Sequence, residues 1–388
     1  MHIVLVSATY PAQSRPAAEP SYTAIARECV RRGHSVIAIA GSDSGAVERE
    51  TLDGVDIVRA LQTSRGGDLR VGSIAAQCRA LRSALRRGDD AVLLFGDATG
   101  VSPALLGVSP DVPRYVDIGY DWALTGFGAS HPWWQWCASV GRMARVSAKA
   151  LGAVIERPDA RGAHFLAWKQ SRWKELLGRG VPVAAARVLR PGIDTGLFSY
   201  TPRAIEDGKI RLQYQGPLRR VGGLNAIFLA LNSLPARVRL RIVAEGADSS
   251  YLAELAELGR AAGVTDRVEV VPAAGEAQRL SLLRGAALFI HSSESGDAFP
   301  RYALEAASAG VPVVAAETES GDDVSPWKPS TALRFPAGNP RALAECVESC
   351  LAQPELVERL SRAGRILVER GFGVVYTVDR LESLLRKT

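Results

Sequence analysis

Short apolar runs of strand length alternate along the chain with longer stretches whose apolar residues recur every three or four positions. The runs predict β-strands and the stretches predict amphipathic helices, because each spacing places apolar side chains on one face of the element. In the amino-terminal half the pattern predicts strands at 3–7, 35–40, 54–59, 91–95, 114–118 and 153–156, with helices at about 21–32 and 73–87. Such alternation is typical of a doubly wound, mostly parallel sheet.

The same alternation restarts near Val188. It predicts strands at 210–215, 239–244, 268–271, 286–291 and 311–316, and helices at 224–234, about 250–262, 276–284, 343–352, 355–368 and 375–385. A chain of 388 residues exceeds the length at which one core keeps growing, about 250–300 residues. We therefore predict an α/β protein with two Rossmann-like domains, at 1–187 and 188–372, and a final segment at 373–388.

Segment 291–316 carries the clearest candidate chemistry. It is predicted as strand, loop, helix and strand, with Asp297 and Glu305 eight positions apart across the loop-to-helix junction. Pro300 suits the first turn of that helix, and Gly310 suits its end. Both carboxylates then lie near the carboxyl end of a strand, where α/β sheets bind ligands. The alternative is that Asp297 caps the helix and Glu305 is a solvated helical residue.

The segment resembles the E-x7-E donor-site motif of retaining glycosyltransferases of family 4, in a variant with Phe-Pro-Arg after the first acid. Asp297 departs from the motif, since the family usually has Glu there. The residues that match are Phe299, Pro300, Arg301, Glu305, Ala306, Gly310, Pro312 and Val313.

The resemblance extends over the carboxyl-terminal half and weakens before it. Residues 190–194 with Phe198 resemble the segment that links the family's two domains, and 263–271 resembles a helix-to-strand junction of the second. In the amino-terminal half only 31–36 and the strand pattern match. The resemblance implies the GT-B architecture, in which two Rossmann-like domains face a cleft and the last helix, here 373–388, crosses back to the first domain.

The resemblance also assigns roles in binding a nucleotide-sugar donor. It implies that Glu305 binds the ribose, since a carboxylate accepts hydrogen bonds from two neighbouring hydroxyls, and that Asp297 contacts the donor sugar. Backbone N–H groups of Ala298 and Phe299 are expected at the sugar or its phosphate, and Arg301 is included among the donor-binding residues. The backbone near 270–273 is expected to recognise the base.

The loop that follows the strand at 210–215 is the expected diphosphate site. Loop amides and a helix amino end favour an anion, which predicts a phosphate cradle that includes Gly216 and Gly223. The family has an Arg directly after the first glycine and a Lys directly before the last, where this chain has Pro217 and Gly222. Arg219 and Arg220 are candidates to supply the charge. Alternatively they are solvated loop arginines and the glycines serve only a turn.

Function follows from these assignments. The resemblance implies an enzyme that transfers a sugar from a nucleotide-activated donor to a small-molecule or lipid-linked acceptor, with retention of anomeric configuration. No cofactor is expected, and no metal, since the chain has no D-x-D triplet. Asp121 and His131, together with Asp297, are the catalytic candidates, the first two near the acceptor. The tryptophans at 122–136 are open to three interpretations: core packing, an acceptor pocket or membrane contact.

Two other functions remain compatible with the sequence. Pro217 and Gly222 favour an auxiliary protein that binds a nucleotide sugar without transferring it. A sugar-nucleotide epimerase on the same fold is the other. A phosphorylase would need a lysine for pyridoxal phosphate, and lysines are scarce in the second half.

Composition narrows the setting. The net charge is +6, carried mostly by arginine, and no dense basic run indicates a nucleic-acid partner. Five cysteines without a C-x-x-C pair indicate a reducing compartment. The first residues form a strand rather than a signal peptide, and no apolar stretch approaches the roughly 18–20 residues that span a bilayer. We expect a cytoplasmic protein without membrane contact, compatible with biosynthesis in a high-GC bacterium; the sequence leaves the oligomeric state open.

Overall fold

Each half of the chain builds its own sheet, in which neighbouring strands are mostly parallel. The first unit comprises Met1–Gly192 with Thr377–Thr388, and the second comprises Ile193–Tyr376. The computed structural model describes residues 1–7, 10, 20–42, 48–62, 80, 83–85, 91–95, 114–117, 163–168, 170–178, 181–202, 210–247, 249–272, 275–294, 299–317 and 326–385.

The sheet of the first unit has the strand order β3-β4-β2-β1-β5-β6-β7-β8. Only β3 and β4 pair antiparallel among its described strands. The elements are β1 His2–Ser7, α1 Pro20–Arg31, β2 Ser35–Ser42, β3 Glu48–Leu52, β4 Val55–Gln62, β5 Ala91–Phe95, β6 Arg114–Asp117, β7 Ala163–Ala167, α2 Gln170–Gly178 and β8 Ala186–Val188.

A β-hairpin in the first unit was missed by the sequence pattern. The predicted strand at 54–59 is β4, and β3 pairs with it across the turn Asp53–Gly54. Both turn residues have positive φ, 52° and 78°, as in the type I′ turn that Asp-Gly favours in hairpins. The strand predicted at 153–156 and most of the helix predicted at 73–87 lie outside the described residues.

The sheet of the second unit has the order β11-β10-β9-β12-β13-β14, and all its described pairs are parallel. Strand β14 was not predicted. The elements are β9 Ile210–Leu218, α3 Leu224–Ser233, β10 Val238–Ala247, α4 Ser249–Ala261, β11 Val268–Pro272, α5 Glu276–Arg284, β12 Leu288–His291, α6 Arg301–Ser308, β13 Val313–Glu317, β14 Leu333–Pro336, α7 Pro340–Ala352, α8 Pro354–Gly371 and α9 Val374–Leu385.

The second sheet buries both of its faces. Leu212 and Tyr214 of β9 belong to a core that includes side chains of α3, α4 and α7. Phe289 of β12 belongs to a second core with side chains of α5, α6 and α8. Burial on two faces explains why β12 and β13 have apolar runs instead of strict alternation.

The chain order reverses between β9 and β12. It runs outward from β9 through β10 to β11, and then returns to place β12 on the other side of β9. In open α/β sheets, ligands bind outside the carboxyl ends of the strands at such a switch point. The loops that follow Leu218 and His291 lie there.

The last helix, α9, carries residues of both units. Its first residue, Val374, donates its backbone N–H to Ile193 O at 2.9 Å within the second unit. Residues from Thr377 onward group with the first unit, where Glu382 accepts a hydrogen bond from His34 at 2.9 Å. The guanidinium of Arg32 adds a 2.7 Å contact to Asp379. The hydrogen bond from His34 and the nearby Arg32 lower the pKa of Glu382, against the opposing effect of burial.

Candidate functional site

Two loops meet at the switch point of the second sheet. The hydroxyl of Ser292, directly after β12, donates to Gly222 O at 2.6 Å. Gly223 has φ 70°, and a Cβ placed there would lie 2.0 Å from Ser292 O. All three residues are buried. The backbones of the two loops are therefore in direct contact, and only glycine allows this approach at position 223.

The loop amides predicted to cradle a phosphate are partly used within the loop. Residues 220–222 form a single 3-10 turn, in which Gly222 N donates to Arg219 O and Gly223 N donates to Arg220 O. Gly216 lies within β9, paired with Ala244. The structure thus places Gly216 and Gly223 at the carboxyl edge of the sheet, and the N–H groups of Gly222 and Gly223 are already hydrogen-bonded within the loop.

The two loop arginines differ in their surroundings. Arg220 forms an ion pair with Glu254 of α4, and its guanidinium lies 6.0 Å from the ring centroid of Tyr251. The side chain of Arg220 remains 70% exposed, so this pair adds at most about 1 kcal/mol. Arg219 is exposed. Neither side chain is locked in place by burial.

Glu305 is fully buried and ion-paired. Its residue has 0% exposed surface, and both carboxylate oxygens accept hydrogen bonds from Arg279, at 3.1 Å each. Arg301 Nε donates to Oε1 at 2.8 Å, one helical turn away. The alternative of a solvated helical residue is therefore wrong for Glu305.

Arg279 is the site residue that the sequence did not reveal. It lies on α5, is 2% exposed, and its guanidinium carbon is 6.0 Å from the Phe198 ring centroid and 5.9 Å from that of Tyr302. Burial opposes the charge of Arg279, but Glu305 outweighs it and raises the pKa of the guanidinium. The only sequence signal was an arginine directly before Leu280, on the inward face of a predicted helix.

Helix α6 begins and ends close to the predicted positions. Pro300 directly precedes its first residue, and Gly310 follows its last turn with φ 88°. Arg301 N donates to Phe299 O at 2.7 Å, and the Phe299 ring lies 6.1 Å from the Phe372 ring. Phe299, just before α6, therefore lies near the residue that directly follows α8.

Several predicted site residues lie outside the described part of the chain. They are Asp297 and Ala298 of the motif, and Asp121 and His131 of the first unit. Of the predicted donor-site residues, the structure describes Gly216, Arg219, Arg220, Gly223, Phe299, Arg301 and Glu305.

His291, the last residue of β12, lies at the switch point and is only partly exposed. Burial lowers its pKa from 6.5 to about 4. Its imidazole is therefore neutral at neutral pH, and it can both donate and accept a hydrogen bond there.

We expect the depressed pKa of His291 to make the protein less stable in acid. Between about pH 6.5 and 4 the unfolded chain binds this proton and the folded chain does not, so protonation favours unfolding. Urea denaturation at about pH 4.5 should give a free energy of unfolding about 2–3 kcal/mol lower than at neutral pH from this group. His291→Gln should reduce the pH dependence by that amount, and an unchanged dependence would contradict it.

Other ligand sites receive no support from the described residues. Within them, no group of three His, Cys, Asp or Glu side chains could hold a metal ion, and no helix is long and apolar enough to cross a membrane. A cavity of about 220 Å³ lies between α3, α4 and β11, with Phe228, Leu255 and Val270 among its lining residues. Its apolar lining does not suit a diphosphate.

Part of the second unit matches a family model, and the fold matches solved structures. Residues 201–366 match the model of a family described as Glycosyl transferases group 1. The chain has the GT-B fold, which confirms the fold predicted from the sequence.

Similar solved structures span nearly the whole chain. HepE from Anabaena, in complex with UDP and glucose, has 15% identity and a TM-score of 0.72, with 100% of both chains covered. Sucrose-phosphate synthase from Thermosynechococcus elongatus has 16% identity and a TM-score of 0.73, covering 100% of this chain and 98% of its own. WaaG, a glycosyltransferase involved in lipopolysaccharide biosynthesis, has 14% identity and a TM-score of 0.66, covering 98% and 99%. A comparison with curated proteins found no match.

Proposed function

We propose that this protein is a glycosyltransferase that transfers a sugar from a nucleotide-activated donor to a small-molecule or lipid-linked acceptor, with retention of anomeric configuration. The observation that carries the proposal is the contact of the Gly222–Gly223 loop with Ser292 at the switch point of the second sheet. This brings the predicted diphosphate loop to the start of the motif segment, within residues that match Glycosyl transferases group 1. A uridine nucleotide is the first donor to test, since HepE has been crystallised with UDP-glucose.

The proposed roles follow the sequence assignments. Glu305 binds the ribose, Asp297 contacts the donor sugar, and the loop around Gly223 receives the diphosphate. Arg301 belongs to the donor site with the backbone of Ala298 and Phe299. Asp121 and His131 are proposed near the acceptor.

The proposed mechanism needs no cofactor or metal. Fixed N–H donors and cations stabilise the departing diphosphate, which is where negative charge develops. The leaving oxygen takes the acceptor's proton on the same face of the sugar, so configuration is retained. Arg219 or Arg220 supplies the cationic contact, and we propose that the reaction takes place in the cytoplasm.

The second candidate is a protein that binds a nucleotide sugar without transferring it. The pairing of Arg220 with Glu254 favours it, because this cation is held toward α4 and the loop has Pro217 and Gly222 at the positions where the family has its own cations. Nucleotide binding would support both candidates, whereas sugar transfer would support only the glycosyltransferase.

Thermal denaturation with UDP, GDP, dTDP and ADP tests the proposal. A ligand that binds only the native state stabilises it and so raises the melting temperature. At a hundredfold excess over Kd, the free energy of unfolding rises by about 2.7 kcal/mol. We expect one nucleotide to raise Tm and free pyrophosphate to raise it less. Absence of a shift with all four nucleotides would contradict both candidates.

A release assay then tests transfer. A UDP-sugar, or a sugar donor of whichever nucleotide binds, is incubated with the protein, and free nucleotide is measured with and without added acceptor mixtures.

Arg219→Ala with Arg220→Ala should weaken nucleotide diphosphate binding far more than nucleoside binding. Equal losses for the two ligands would contradict the phosphate role of these arginines.

A further inference from the structure

Arg279 is a deeply buried charged group beside the motif. Its side chain is 2% exposed, and its guanidinium carbon lies 6.0 Å from the Phe198 ring centroid and 5.9 Å from that of Tyr302. It donates through Nε and Nη2 to the two oxygens of Glu305. A two-point contact of this kind fixes the plane of a carboxylate, which a lysine cannot do. The orientation of the Glu305 carboxylate is therefore set by a residue 26 positions earlier in the chain.

The hydrogen bonds on Glu305 are distributed unequally. Oε1 accepts from Arg279 Nη2 and from Arg301 Nε, whereas Oε2 accepts from Arg279 Nε. A carboxylate has about four acceptor positions, two on each oxygen. The two arginines thus occupy both positions of Oε1, and the remaining position belongs to Oε2.

We infer that Arg279 is a positioning residue that presents Oε2 of Glu305 to a single ribose hydroxyl of the donor. This rests on the proposed function, in which Glu305 binds the ribose. A less constrained carboxylate would accept hydrogen bonds from two ribose hydroxyls, whereas Glu305 has room for one. The site should therefore recognise one ribose hydroxyl strongly and be nearly indifferent to the other. The protein should accept only one of the two kinds of deoxy donor, either those with 2′-deoxyribose or those with 3′-deoxyribose.

The burial of Glu305 makes the orientation matter. Its residue has no exposed surface, so a hydroxyl reaches Oε2 only by displacing the protein atoms that cover it. Arg279 is buried near two aromatic rings and ion-paired with Glu305, so we expect it to keep the carboxylate plane fixed during that displacement. Without the two-point contact, the carboxylate would rotate about its terminal torsion, which is broad.

Calorimetric titration with UDP, 2′-deoxy-UDP, 3′-deoxy-UDP and pyrophosphate tests the inference. For the unmodified protein we expect one deoxynucleotide to bind at least about tenfold more weakly than UDP, the loss of one charge-assisted hydrogen bond. The other should bind within about twofold. Equal losses for both deoxynucleotides, or no loss for either, would overturn the inference while leaving nucleotide binding intact.

Arg279→Lys is the informative variant, because it keeps the charge and removes the two-point contact. We expect the Kd of UDP to rise about tenfold, the preference between UDP and the deoxynucleotides to shrink, and the Kd of pyrophosphate to stay unchanged. A merely structural role would weaken pyrophosphate binding equally, which would overturn the inference. Arg284→Lys, on the exposed end of the same helix, is the matched control and should change none of these values.

A double variant covers the case in which Arg279→Lys does not fold. Arg279→Met with Glu305→Met removes both charges together, which buried ion pairs often tolerate. It should bind UDP and both deoxynucleotides with equal, weakened affinity. If the unmodified protein binds none of the nucleotides, the proposed function fails and the inference fails with it. If the double variant still distinguished UDP from the deoxynucleotides, the inference would be overturned while the proposed function would stand.

Discussion

Replacing Glu305 with alanine is expected to lower the free energy of unfolding by about 3–5 kcal/mol. The substitution removes the carboxylate that Arg279 and Arg301 share, and it leaves their guanidinium groups, 2% and 9% exposed by residue, without that counterion. Burying a charge without its partner costs far more than losing a surface pair. Urea denaturation followed by circular dichroism measures the loss.

Two further variants test whether the loss of stability in Glu305→Ala comes from the buried, unpaired charges. Glu305→Gln keeps the shape of the side chain and one acceptor oxygen, so it should lose less stability than the alanine variant. Glu254→Ala removes an exposed ion pair with Arg220 and should cost at most about 1 kcal/mol. If Glu305→Ala also cost less than about 1 kcal/mol, the buried cluster would not stabilise the fold.

Ribose binding by Glu305 is better tested with a glutamine than with an alanine at this position. A Glu305→Ala protein that no longer binds nucleotide has lost both a proposed ligand and a structural counterion. Binding to Glu305→Gln, measured at a temperature where the variant remains folded, distinguishes the two. Weak nucleotide binding by a folded Gln variant supports the ribose contact.

Gly223→Ala is expected to lower the free energy of unfolding by about 2–5 kcal/mol and to weaken nucleotide binding. An alanine would have to adopt φ 70°, and its Cβ would lie 2.0 Å from Ser292 O. Neither atom belongs to a flexible side chain, so the loop has to move away from the end of β12. That movement separates the proposed diphosphate loop from the motif segment.

Gly263→Ala is the matched control for Gly223→Ala. Gly263 also has positive φ, 66°, but a Cβ there would meet nothing within 4 Å. It should lose only the cost of the left-handed backbone, about 1–2 kcal/mol, and nucleotide binding should be unchanged. Equal effects of the two substitutions would show that the contact with Ser292 adds nothing.

The elements with strong local signals were predicted well. Strand β12, helix α6 and strand β13 were expected at 286–316 and are found at Leu288–His291, Arg301–Ser308 and Val313–Glu317. Two apolar strands flank a helix that has a Pro at its start and a Gly at its end, and this pattern leaves few alternative assignments of secondary structure. The pattern missed strands β3, β7, β8 and β14. Three of them, β3, β8 and β14, lie at sheet edges, where partial exposure weakens the apolar pattern.

The environment of the candidate site was less predictable than its position. The spacing and resemblance of the motif indicated Glu305, and the glycine pattern indicated the loop that ends at Gly223. No local pattern indicated that Glu305 pairs with Arg279, or that Arg220 pairs with Glu254, 34 residues away. Pairings at such separations depend on which helices pack side by side, and sequence periodicity does not contain that information.

The sequence by itself determined the alternation of strands and helices, the two-unit organisation and the motif at the end of β12, because these depend on side chains close to one another in the chain. The tertiary structure decided what surrounds the motif. Helix α5 brings Arg279 against α6 and buries the Glu305 carboxylate, and the left-handed Gly223 brings a second loop against Ser292. Both are contacts between distant segments, and burial strengthens their electrostatics because water no longer screens the charges.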